Sequence, residues 1–127
     1  MAKTDYQLAA RFRSEYPHSF NALQGLVMAM AKYRNNRDKQ PILGYDRALA
    51  ALKRFERKLR DMLLAMVIDG VIARDSEPAV CRAQLVELLS LFAETFPNWP
   101  DAYAFAQEYF IQSPATADDR IRALMQG

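Results

Sequence analysis

The sequence is poor in the residues from which reactive or cross-linked sites are built. It holds one cysteine, Cys81, and one histidine, His18, in 127 residues. A lone cysteine closes no internal disulfide, so the chain is not a disulfide-stapled scaffold of the secreted kind. No second histidine or cysteine stands at ligand spacing, so a zinc site lacks its ligand set. Only four glycines and six prolines occur, and runs of Val, Ile and Thr are short, so the turns and strand formers of an all-β protein are missing. No Gly-rich phosphate loop, Gly-x-Ser-x-Gly or His-Glu-x-x-His is present. The longest apolar run is Met62 to Ile68, far short of the roughly 20 residues of a membrane-crossing helix. The opening Met1-Ala2-Lys3-Thr4-Asp5-Tyr6-Gln7 carries no apolar signal segment. These absences predict a cytoplasmic protein with no membrane span, no metal and no cofactor, and they argue against an enzyme.

Helix is what the rest supports. Apolar residues make up 51% and charged residues 25% of the chain, a globular balance. The length fits one domain, residues 1–127, with a core large enough to need no staple. The expected fold is all-α, a bundle of five main helices plus a short C-terminal one around a long central third helix. A Thr4-x-x-Gln7 capping box opens a first helix over residues 5–16, which Pro17 stops. Ser19 caps a second, lined by Leu23, Leu26, Val27 and Met30 and fading by Asn35. Residues 34–41, with two Asn and a Pro, read as a polar loop. From Tyr45, apolar residues recur at threes and fours to Met66, ending near Asp69-Gly70. Asp69-Gly70-Val71-Ile72 lacks the other ligands of a calcium loop and reads as a helix end. Ser76-Glu77-Pro78 starts a fourth helix with Cys81, Leu85 and Phe92 on its buried stripe, so Cys81 reads as core. Pro97-Asn98-Trp99-Pro100 is a rigid connector to a fifth, and Thr116-x-x-Asp119 caps the last.

The one uneven feature is charge. Residues 1–30 hold three basic and two acidic groups, residues 31–60 ten and three, and residues 61–127 four and ten, balances of +1, +7 and −6. The basic block comprises Lys32, Arg34, Arg37 and Lys39 around the expected loop, and Arg47, Lys53, Arg54, Arg57, Lys58 and Arg60 along the third helix. Such a ridge is commonly just the solvated side of an amphipathic helix. As a site it would take phosphate or an acidic protein, with Tyr33 placed to stack on an unpaired base. It could equally meet the acidic half across a bundle seam or a two-fold dimer. The stretch containing Met62, Leu63, Met66 and Val67 is apolar on every side, which requires burial in the bundle or against a second subunit.

The expected function is therefore a non-enzymatic interaction module, homodimeric, that engages a protein partner through Lys32, Arg34, Arg37, Lys39, Arg47, Lys53, Arg54, Arg57 and Lys58. The alternative is a nucleic-acid-binding accessory protein contacting phosphates through the same block. A third reading uses the aromatics Phe92, Phe96, Trp99, Tyr103, Phe105, Tyr109 and Phe110 as a pocket for a flat ligand, against their simple packing in the core.

Overall fold

The computed structural model describes residues 10–126, and all secondary structure among them is helical. The predicted capping box at Thr4–Gln7 lies outside the described residues. A helical segment at residues 10–15 breaks at Tyr16. There follow α1 (Pro17–Asp38), the single turn α2 (Gln40–Leu43), α3 (Tyr45–Ile68), α4 (Pro78–Thr95), α5 (Pro100–Ala106), a π-helical turn (Gln107–Gln112) and α6 (Pro114–Gln126). No described helix is long and apolar enough to cross a membrane.

Proline sets most of these starts. Pro17, Pro41, Pro78, Pro100 and Pro114 each stand in the first two positions of a helix, where the missing N–H has no partner to lose. Two helices start earlier than their expected caps: Ser19 lies within α1, not at its cap, and Thr116 lies inside α6, which at 13 residues is not a short appendage. Ser76 does not cap α4 either. Its hydroxyl accepts from the Ala73 N–H at 2.9 Å and closes the preceding turn.

The largest correction concerns residues 34–41. In place of a polar loop, α1 continues to Asp38, and α2 follows after Lys39. Asn and Arg are tolerable helix residues, and burial of Asn36 on the inner side of α1 extends the helix past the point where apolar periodicity fades. Gly44, at φ 94°, then reverses the chain into α3. Helices α1 and α3, about 33 and about 36 Å long at 1.5 Å per residue, form an antiparallel pair.

One carboxylate fastens the open end of that pair. Tyr16, which precedes α1, offers no side-chain cap. Asp69, at the end of α3, accepts from the Ser19 backbone N–H at 2.6 Å and from His18 Nδ1 at 2.9 Å, and its side chain is only 4% exposed. A residue about 50 positions away thus caps α1. Burial pushes the Asp69 carboxyl up, but the Ser19 N–H and the His18 ring outweigh it and hold it below its usual value. Gly70, at φ 76°, turns the chain away from this junction, as expected for a helix end.

The core lies between α1 and α3 and extends to α4, α5 and α6, with Leu23, Leu26, Met30, Leu59, Leu85 and Ile121 fully buried. Its aromatics form two groups. Phe12 meets Phe20 edge-on at 5.4 Å, and Phe20 leads to Phe92 and Phe96; Phe55 sits between Phe105 and Tyr109 at 5.1 and 5.2 Å. Cys81 is fully buried, and burial raises its thiol pKa, as befits a small apolar packing residue. Partly buried ion pairs tie the last helix on: Arg82 to Asp118 at 2.7 Å and Arg120 to Glu56 at 2.8 Å.

Asp69→Ala is expected to lower stability by about 1–2 kcal/mol in urea denaturation at neutral pH, the range of a lost helix cap. Because the folded-state pKa of Asp69 is depressed, its contribution is present above the unfolded value of about 3.9 and disappears as pH falls through the lower folded one. The stability gap between wild type and Asp69→Ala should therefore narrow as the pH is taken well below about 4; a gap independent of pH would contradict the capping role.

Candidate functional site: a basic groove between α1 and α3

Among the described residues, one side of the seam between the two long helices is a hollow. There the lining includes the buried small residues Ala29 of α1 and Ala51 of α3, together with the exposed Ala50 and the cations Lys32, Arg47, Arg54 and Arg57. The groove has a volume of about 340 Å³ and adjoins, through the shared Arg54 and Arg57, a second depression of about 390 Å³ edged by Lys58, Arg60 and Asp61. Four arginines and lysines around alanines give an apolar bottom with cationic rims. Lys58, which edges the adjoining depression, lies over Gly25 of α1: a Cβ on that glycine would lie 3.5 Å from the Lys58 side chain.

Asn36 also lines the groove. It is 8% exposed, and its side-chain amide forms no hydrogen bond among the described residues. Among the described residues only Ser19 Oγ and Arg34 Nε are buried side-chain polar atoms without a partner, so the Asn36 amide keeps its contact with solvent at the groove wall. The sequence reading missed it because an Asn in a polar stretch looks like loop. The alanine floor was legible only as small residues that permit close packing.

The expected basic face divides in two. Lys32, Arg47, Arg54 and Arg57 line one groove and Lys58 the adjoining depression; Lys53 and Lys39 are exposed, and none of the seven bonds an acid among the described residues. Arg34 and Arg37 do not join them. Arg34 bonds Asp101 at 2.8 Å; Arg37 bonds Glu108 at 3.2 Å, also reaches Asp38, and lies 5.9 Å over the Phe105 ring. Burial works against the Arg37 charge, but Glu108 and Asp38 outweigh it and raise its pKa. These two arginines staple α1 to α5 and the π-turn.

Tyr33 is not free to stack on a base. One face lies parallel to Phe55 at 6.3 Å and Phe105 meets it edge-on at 5.3 Å, so its ring belongs to the core margin. The expected dimer residues need the same correction: Met62, Leu63 and Met66 are buried in this chain's own core and Val67 is half-buried against it. Of that apolar stretch, only Leu64 and Ile68 are exposed, at 41% and 65%.

No protein-family model, curated protein or solved structure matches this chain. The remaining hollows are less distinctive. The region around Trp99 is not packed solid: Trp99, Met28, Phe92, Phe96 and Arg13 edge a groove of about 240 Å³, whereas Phe105, Tyr109 and Phe110 pack on the other aromatic group. Among the described residues no three His, Cys, Asp or Glu side chains cluster closely enough to hold a metal ion. What the basic groove can do chemically is hold an anion against an apolar floor.

Gly25→Ala is expected to raise stability by about 0.5–1 kcal/mol, because Ala is the better helix residue and its methyl group meets Lys58 at ordinary contact distance. Urea denaturation measures it; a loss of stability would show that Lys58 cannot give way.

Proposed function

We propose that this chain is a non-enzymatic interaction module that engages an acidic macromolecular partner through the basic face built on α1 and α3. The observation that carries this reading is the group of cations, Lys32, Arg47, Arg54, Arg57 and Lys58, that edge two adjoining hollows sharing Arg54 and Arg57 and that bond no acid among the described residues. Concentrating like charge around an apolar floor costs folding energy through mutual repulsion, and an anionic partner relieves it. A protein partner is favoured over nucleic acid by that alanine floor, which suits an aliphatic side chain or a closely approaching backbone, and by the withdrawal of Tyr33 into the core. Charged rims of this kind steer association and select partners more than they add affinity.

Nucleic acid is the second reading, and the spread of the cations favours it. From Arg47 to Arg60 they extend over about 20 Å of helix, a length that spans several phosphates. Arg47, Lys53, Arg54 and Arg57 would then contact backbone phosphates without reading sequence.

The test is recovery of partners from native cells with tagged wild type and with a Lys32→Glu/Arg47→Glu/Arg54→Glu variant, each with and without nuclease. A protein that survives nuclease and falls at least about tenfold with the variant is the expected outcome, since like-charge contacts cost several kcal/mol. Nuclease-sensitive recovery, together with RNA or DNA affinity that collapses between about 50 and about 200 mM salt, would move the assignment to nucleic acid. Equal recovery with wild type and variant would overturn both.

A further inference from the structure

Among the described residues, charge left over after internal pairing is uneven between helices: α3 keeps six such cations against Asp46 and Asp61, whereas α4 keeps only Glu87 and Glu94. In the acidic half, Asp101, Glu108, Asp118 and Asp119 each bond an arginine, at 2.8, 3.2, 2.7 and 3.1 Å. Glu77, Glu87 and Glu94, at the start of α4 and along it, bond none among the described residues. The leftover cations lie chiefly on α3, so one molecule presents a basic helix face and an acidic helix face.

The two faces also share a spacing. On α3 the exposed residues Ala50, Arg54, Arg57, Asp61, Leu64 and Ile68 recur at intervals of four and three; on α4 Val80, Ala83, Glu87, Ser90 and Glu94 do so at three and four. That alternation keeps a stripe on one side of a helix and lets two helices interlock along it. Each stripe joins an exposed apolar end, Leu64 and Ile68 on α3 and Val80 on α4, to a charged end of opposite sign.

Resting on the reading that the basic face is a docking surface, we infer that its partner is a second copy of this chain, with α3 of one protomer packed antiparallel on α4 of the next. Setting Arg57 opposite Glu87 brings Leu64 opposite Val80 and Asp61 opposite Ala83. Arg54 then faces Ser90, and Glu94 falls opposite Ala50, with Arg47 and Arg54 one turn to either side of it. A parallel register with the same Arg57–Glu87 pair would set Leu64 against Glu94, burying a carboxylate on a leucine, and is disfavoured. The contact joins different patches on the two copies, so each protomer keeps one basic and one acidic face free, and the assembly extends past a dimer or closes into a ring. Surface ion pairs around a few apolar residues make the association weak and salt-sensitive.

Sedimentation of the purified full chain tests this. At about 50 mM salt the average mass should rise with protein concentration beyond twice the 14.5 kDa monomer, and it should fall toward the monomer at about 500 mM salt. Arg57→Glu and Glu87→Arg alone should each weaken association at least about tenfold, since each sets like charges against one another at the centre of the seam. An equimolar mixture should associate again, because it restores one native and one reversed ion pair; that recovery also shows that both variants are folded. A monomer at every concentration in low salt, or self-association indifferent to both reversals, overturns the inference. A monomer that still recovers its nuclease-resistant partner through the basic face leaves the interaction module standing and refutes only the second copy as its partner.

Discussion

The arrangement of this protein depends on a carboxylate that is remote in sequence from what it caps. Asp69 at the end of α3 satisfies the start of α1, and Gly44 turns the chain at the other end of the pair. Between these two points the helices have nearly equal lengths and little freedom to slide. That fixed register brings Ala29 opposite Ala51 and sets Lys32 and Asn36 across from Arg47 and Arg54. A shift of one helical turn, about 5.4 Å, would carry these residues out of line with one another across the seam. The cap at one end is thus a condition for the groove along the seam.

The second organising effect is how charge is divided. Arginines that reach the C-terminal elements are consumed there: Arg34 and Arg37 hold α5 and the π-turn, and Arg82 and Arg120 hold α6. Several of these pairs are partly buried, where an uncompensated charge would be costly, so they act as positioning contacts between helices. The cations on the far side of α1 and on α3 make no such pair among the described residues. Because structural demand does not account for them, they are the side chains most open to a functional explanation.

Aromatic packing explains why the expected stacking surface does not exist. Phe55 lies fully buried on α3, and Tyr33, Phe105 and Tyr109 close around it from α1, α5 and the π-turn. The extra residue per turn of the π-segment accompanies the full burial of Phe110, with Tyr109 edge-on to Phe55. Tyr33 therefore completes a cluster that joins α1, α3 and α5.

The all-α class, the bounds of α3, the turn at Gly70 and the burial of Cys81 were determined by the sequence itself. Each depends on short-range periodicity or on a local backbone requirement that residue identity expresses directly. The basic block was legible as composition, but which of its members share a surface was not. Arg34 and Arg37 look like Arg54 and Arg57 in a one-dimensional charge count, and only the approach of Asp101 and Glu108 from more than 60 residues away separates them. The same holds for Asn36, whose polarity suggested a loop, and for Met62, Leu63 and Met66, whose apolar neighbours suggested a second subunit. Tertiary structure decided these because burial and ion pairing are set by distances between helices, and the spacing of residues along one helix contains no information about what packs against it.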